Sequence, residues 1–168
     1  MSTVYLTIGL PGSGKSFWSR QKAHEDERTV IINRDAFRTM IKDNYTFDLM
    51  YEPFIKASSN RSIEEALKYG LDIIVDETHI KKERRKEIIQ VIKNYEETDF
   101  IEELYGKTKI VYVWFTETEK NIENRMKESR GYDREKWEEV INKMKESFEE
   151  PTEDEKYNEL IKINPFRG

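Results

Sequence analysis

The sequence predicts an α/β domain: a four- to five-stranded parallel sheet between two helical layers, a three-layer sandwich with a helical lid over one end. Three observations predict it. Short apolar runs, 29–32 (TVII), 71–75 (LDIIV) and 109–115 (KIVYVWF), alternate with longer stretches of helical periodicity. A further run, 3–8 (TVYLTI), passes without a gap into a glycine-rich loop and then a helix. The 168 residues hold no internal repeat or low-complexity linker. That is the length of one domain, so 1–168 is expected to be a single unit.

The elements follow in order. Residues 3–8 combine buried-type apolar side chains with β-branched threonines, a strong strand. The loop 9–16 (GLPGSGKS) follows, and 17–24, free of Pro and Gly, reads as a helix. A charged loop leads to the strand at 29–32. Asp35 stands where an N-cap would, before Phe37, Met40 and Ile41 at helical spacing. The alternative is a functional carboxylate that shares a helix face with Arg38, three residues on. Residues 54–69 read as a long helix with Ile55, Ile63, Ala66 and Leu67 inward and Gly70 as its stop. The strand at 71–75 ends on Asp76. Residues 83–95 form a helix with Ile88, Ile89 and Ile92 inward, and 98–105 (TDFIEELY) a short extra helix closed by Gly106. After the strand at 109–115, Thr116 and Glu119 have capping-box spacing for a helix running toward Arg130. Asp133 caps the most amphipathic helix, with Trp137, Val140, Ile141, Met144 and Phe148 on one stripe and Pro151 as its end. Residues 157–163 (YNELIKI) supply a fifth strand at the edge. The lid spans approximately 117–150.

Composition removes several classes. There is no cysteine, which excludes disulfides and thiol catalysis. The longest apolar run, 110–115, is far too short for a membrane span, and the start carries no basic segment with an apolar one behind it. A cytoplasmic protein without membrane contact is expected. A net charge of −5 argues against broad coating of nucleic acid. The basic run Lys81, Lys82, Arg84, Arg85 and Lys86 reads as a solvated helix face in preference to a binding patch.

The chemistry concentrates in 9–16. Its glycines allow a tight turn that points several backbone N–H groups at a phosphate, at the positive end of the next helix. Lys15 is placed to reach the β- and γ-phosphates of a nucleotide, and Ser16 offers a hard oxygen to magnesium. Asp76, a carboxylate at a buried strand end beside that loop, is placed to order the metal through its waters. Residues 127–134 (KESRGYDR) form a cation-crowded turn between two helices. Arg130 there suits a helix C-terminus, whereas Arg134, in a first helical turn, needs a carboxylate or a bound phosphate as partner.

These pieces together resemble the bacteriophage-type polynucleotide 5′-hydroxyl kinases, within the wider P-loop kinases. The resemblance covers most of the chain: TIGLPGSGKS at 7–16, INRDAFR at 32–38, the long helix to Gly70, IIVDETH at 73–79 and the arginine-rich lid. It implies the P-loop kinase fold, with ATP and Mg2+ as cofactors. Gly9, Pro11, Gly12, Ser13, Gly14, Lys15 and Ser16 would bind ATP, and Ser16, with Asp76 through water, the magnesium. Asp35 would be the general base for the acceptor hydroxyl. Arg38 would hold the acceptor's 3′-phosphate, with Arg34 and Thr78 beside it. Arg130 would be the lid arginine on the ATP phosphates, with Arg125 or Arg134 sharing that work. The substrates implied are nucleic-acid 5′-hydroxyl ends, DNA or RNA, with no obligate protein partner, in the host cytoplasm if phage-encoded. The sequence also departs from the pattern. The usual D-x-T-N is Asp76-Glu-Thr-His79 here, so His79 replaces an amide and Glu77 competes with Asp76 for the metal side. No appended phosphatase domain is expected, so any end-healing by this chain would be phosphorylation only.

Two other functions fit the same scaffold. A small-molecule or nucleotide kinase is favoured by the acidic net charge. A nucleotide-switched binding module is less favoured, because Asn142-Lys143 continues as Met144-Lys145 and gives no N-K-x-D guanine signature.

Overall fold

The computed structural model describes residues 1–98, 106–116 and 119–164. In chain order its elements are β1 (Thr3–Ile8), α1 (Lys15–Glu25), β2 (Thr29–Ile32), α2 (Arg34–Met40), α3 (Glu52–Lys68), β3 (Asp72–Val75), α4 (Lys82–Thr98), β4 (Lys109–Phe115), α5 (Asn121–Met126), α6 (Arg134–Glu146) and β5 (Glu159–Ile163). The five strands form one sheet in the order β2-β3-β1-β4-β5, and every neighbouring pair is parallel.

Covering both faces of a parallel sheet buries most residues of the central strands β1, β3 and β4, which is why they read as continuous apolar runs, while the edge strands β2 and β5 stay largely half-buried. Val4, Leu6, Ile8, Ile73 and Val75 pack with Ile63 and Leu67 of α3 and Ile88 and Ile92 of α4 on one face. Val111, Val113 and Phe115 meet Trp18 of α1 on the other. The result is the expected three-layer α/β sandwich. Chain connections leave β1 and β4 toward opposite sides, so a crevice opens above their adjacent carboxyl ends.

Several local expectations change. The cap of α2 is Asn33, whose Oδ1 accepts the Ala36 N–H at 2.7 Å. Asp35 is thereby left in the first turn with its carboxylate free for other partners. Helix α3 begins at Glu52, because Pro53 fits a first turn where its missing N–H is not needed. The capping box at Thr116 does not form: the Thr116 N–H is used by the Ile163 carbonyl (3.0 Å), and α5 starts only at Asn121 without a side-chain cap. Most of the short helix expected at 98–105 lies outside the described residues.

The basic run after His79 is not one solvated face either. Lys82 pairs with Asp154 (2.6 Å), Arg84 with Glu87 (2.7 Å), and Arg85 is fully buried against Glu155. Arg85 donates through Nε and Nη2 to the two Glu155 oxygens, each at 2.7 Å, and to the carbonyls of His79 and Glu149. Tyr112 Oη donates to Glu155 as well, at 3.1 Å. This network fastens the stretch that follows α6 to the loop after β3, one wall of the crevice.

Candidate functional site

A cleft of about 960 Å³ occupies the crevice above the carboxyl ends of the strands. The loop from Gly9 to Ser16 forms its floor. Gly12 and Gly14 take positive φ values of 78° and 93°, a region costly to side chains with a Cβ, and Gly14 is the N-cap of α1. A Cβ on Gly12 would stand 2.0 Å from the Asn121 carbonyl oxygen, so the glycine also lets α5 close onto the loop. The Gly9 N–H donates to the Thr78 carbonyl (2.9 Å), tying the loop to the segment after β3.

Lys15 is 7% exposed and rests its ammonium on the Leu10 carbonyl at 2.7 Å. Burial pushes its pKa down to about 8, with Asp76 partly countering. An arriving phosphate would restore the charge that burial disfavours. Asp76 faces the hydroxyls of Ser16, Thr7 and Ser19, and burial raises its pKa. No group of three or more acidic or histidine side chains gathers among the described residues. The Ser16 hydroxyl and Asp76 carboxylate form the sparse oxygen set that suits magnesium, an ion that keeps several waters and shares phosphate oxygens. Glu77 points elsewhere, toward Arg34 and Arg84, each at 3.4 Å. The two carboxylates thus differ in what they face: Asp76 the hydroxyls of the phosphate loop and β1, Glu77 the arginines of the cleft wall.

Across the cleft Asp35 sits between two guanidiniums. Arg38 Nη1 donates to its Oδ1 at 2.8 Å, and Arg130 Nη2 reaches its Oδ2 at 2.7 Å. Burial alone would raise the Asp35 pKa, but these two arginines outweigh it and hold the carboxyl below its usual range. Asp35 is thus ionised. Arg38 is held from behind by Glu52, bidentately at 2.8 and 2.7 Å. These bonds use three of the five guanidinium N–H groups and leave two for a ligand. Sequence spacing gave no sign of Glu52, which lies 14 residues away on another helix.

The lid closes from the other side. Arg130 adopts a left-handed φ of 54° just before Gly131, which is uncommon for a side chain of that size and aims it across the cleft at Asp35. Arg125 lies 4.2 Å over the Trp137 ring and lines the cleft, with its Nε and Nη2 buried and without hydrogen-bond partners. Such donors are an open position for an anion. Asn124 ties α5 to the floor by donating to the Gly12 carbonyl at 3.2 Å. Arg134 takes the carboxylate option: it is exposed, pairs with Glu123 (2.7 Å) and Glu138 (3.0 Å), and stands outside the cleft lining. The amphipathic stripe of α6 is shared between core and cleft, for Val140 and Met144 line the cavity.

Arg34 and Thr78 both line the cleft, as does His79. His79 is 1% exposed with a positive φ of 40°, and its Nδ1 meets the Thr7 carbonyl at 2.8 Å. Burial pushes its pKa down to about 4, so the ring is neutral and donates through Nδ1.

Residues 4–151 match the model of a family described as AAA domain. An L-seryl-tRNA(Sec) kinase of Methanococcus maripaludis is 27% identical over 152 residues, which are 88% of this chain and 53% of that protein. The chain therefore spans about half the length of this curated relative. A solved structure of the Pnkp1/Rnl/Hen1 RNA repair complex is similar with a TM-score of 0.65 at 22% identity, over 88% of this chain and 46% of that one. A fungal RNA kinase gives 0.65 at 13% identity, over 96% of this chain and 38% of that one. At such identities what is shared is the fold, that of the P-loop kinases.

Proposed function

The chain belongs to the AAA domain family, and from that premise we propose that it is an ATP-dependent kinase that phosphorylates the 5′-hydroxyl end of DNA or RNA. The observation that carries this reading is the ionised Asp35, held on the cleft wall opposite the phosphate loop between Arg38 and Arg130. A kinase needs a carboxylate there to orient a hydroxyl and accept its proton, and a phosphate-binding floor facing it.

In this mechanism the amides of 9–16 and Lys15 hold the β- and γ-phosphates of ATP. Ser16 and Asp76 are the residues that would hold magnesium, which would supply charge neutralisation to the phosphates. Arg125 supplies its unpartnered N–H groups to the nucleotide, and Arg130 leaves Asp35 for the γ-phosphate. Arg38 offers its two remaining N–H groups to the acceptor's 3′-phosphate, with Arg34 and Thr78 beside it. The acceptor oxygen forms its bond to the γ-phosphorus, the bridging oxygen departs with ADP, and the hydroxyl proton passes to Asp35. The transition state is loose, so the proton leaves late and a carboxylate of low pKa suffices. The L-seryl-tRNA(Sec) kinase relative supports an RNA-borne acceptor.

Asp35→Asn should abolish transfer of the γ-phosphate to 5′-hydroxyl oligonucleotides while nucleotide binding stays nearly intact; unchanged transfer would remove Asp35 from the mechanism. The net charge of −5 favours a second reading, a small-molecule kinase. An acceptor panel separates the two: single-stranded DNA, RNA and a nucleoside 3′-monophosphate labelled, but not the free nucleoside, supports the end kinase. The reverse pattern supports the other.

A further inference from the structure

The connection between α2 and α3 places two aromatic rings in the cleft beside Asp35, and neither belongs to any sequence motif. Tyr45 and Phe47 both line the cavity, and each ring meets a guanidinium that binds Asp35. Their situations differ. The Tyr45 ring is taken up by Arg130, 4.4 Å from its centroid. Phe47 has Arg38 at 5.5 Å and remains 61% exposed, an open aromatic surface at the edge of a cationic cleft. The same loop exposes Leu49 and Met50, at 77% and 69%.

Resting on the end-kinase reading above, we propose that Phe47 is a stacking platform for the nucleobase of the acceptor's 5′-terminal nucleotide. An acceptor hydroxyl at Asp35 and a 3′-phosphate at Arg38 place that nucleotide's base beside Arg38, which is where the ring lies. Arg38 contacts both the carboxylate and the ring, so the platform stands within one nucleotide of the reacting oxygen. A cationic groove that follows the backbone, with an exposed aromatic ring beside it, is how proteins hold single-stranded nucleic acid without reading its sequence, since every base has a π-face. The arrangement explains how a protein of net negative charge could favour a polymer end: recognition is confined to one nucleotide and does not use an extended basic surface.

The test compares 5′-hydroxyl oligodeoxynucleotides that carry a terminal base with ones whose terminal nucleotide is abasic. Wild-type protein should prefer the base-bearing end in kcat/KM by roughly 5- to 150-fold, the range set by base–aromatic stacking. Phe47→Ala should collapse that preference to near unity through the acceptor KM, and Phe47→Trp should restore it. The KM for ATP in the same assays reports that the variants are folded. Fluorescence of 2-aminopurine at the 5′ terminus should be quenched on binding by wild type and by Phe47→Trp, and not by Phe47→Ala. Transfer by wild type with the same base preference in Phe47→Ala overturns the platform and leaves the end-kinase reading standing. No transfer by wild type to any oligonucleotide overturns both. Concentration-dependent self-association that Phe47→Ala abolishes, with base preference unchanged, assigns the surface to a second copy and overturns the proposal.

Discussion

On mild acidification His79 should make its own separable contribution to destabilising this protein, and the size of that contribution follows from its surroundings. The imidazole is 1% exposed, its Nδ1 donates to the Thr7 carbonyl, and its Nε2 has no hydrogen-bond partner. Burial therefore lowers the folded-state pKa to about 4, from the ordinary imidazole value of about 6.5. Because the basic group is depressed, the unfolded chain binds the proton more readily, and stability falls as pH drops through the window between those values. From about pH 7 to about pH 5 the loss attributable to His79 is about 2 kcal/mol. Urea denaturation at the two pH values, in wild type and in His79→Asn, isolates it. Asparagine tolerates the positive φ of 40° at this position and keeps an N–H for the Thr7 carbonyl without a titrating group. The pH-dependent loss should be smaller in His79→Asn by about 2 kcal/mol. Equal losses in the two proteins would refute the reasoning.

Other perturbations follow from single contacts. Arg85→Met strands the buried Glu155 carboxylate and should cost about 3–5 kcal/mol in urea denaturation, with part of that recovered when Glu155→Leu is added. Gly12→Ala drives a methyl into the Asn121 carbonyl and should raise the KM for ATP by on the order of tenfold or more. Arg130→Ala should lower kcat by on the order of a hundredfold. Arg134→Ala, whose arginine pairs among the described residues with the exposed carboxylates of Glu123 and Glu138, should leave kcat within about twofold in the same transfer assay.

What was legible in the sequence was local or periodic. The central strands announced themselves because both their faces are buried, and the phosphate loop because its glycines, lysine and serine stand within a few consecutive residues. Choices between neighbours were harder. Asn33 and Asp35 are both good caps two residues apart, and only the backbone path shows that Asn33 Oδ1 meets the Ala36 N–H and releases Asp35. The lid arginines could not be ranked by spacing, since what distinguishes Arg125 is a tertiary contact with Trp137, whereas Arg134 is claimed by Glu123 and Glu138. Glu52 and Phe47 were silent for the same reason: each meets Arg38 across a loop whose path the sequence does not specify. The basic run misled because charge counts do not reveal burial, and Arg85 in its middle has no exposed side chain at all.

The pairing at Asp35 links the two halves of the proposed reaction. In the structure both carboxylate oxygens are taken, one by Arg38 and one by Arg130, and the arginines together depress its pKa. The two differ in how they are held. Arg38 is anchored bidentately by Glu52, whereas among its described contacts Arg130 has Asp35 and the Tyr45 ring on a turn of left-handed backbone. A γ-phosphate in the cleft competes for the less anchored of the two. On the proposed mechanism Arg130 would move to it, and Asp35 would lose the hydrogen bond that most lowers its pKa and gain proton affinity, while Arg38 would still fix its orientation. The same displacement that brings a cation to the transferring group thus frees an oxygen of the base for the acceptor hydroxyl. In that scheme a carboxylate that is poorly basic while paired with Arg130 would become more basic once the donor draws that arginine away.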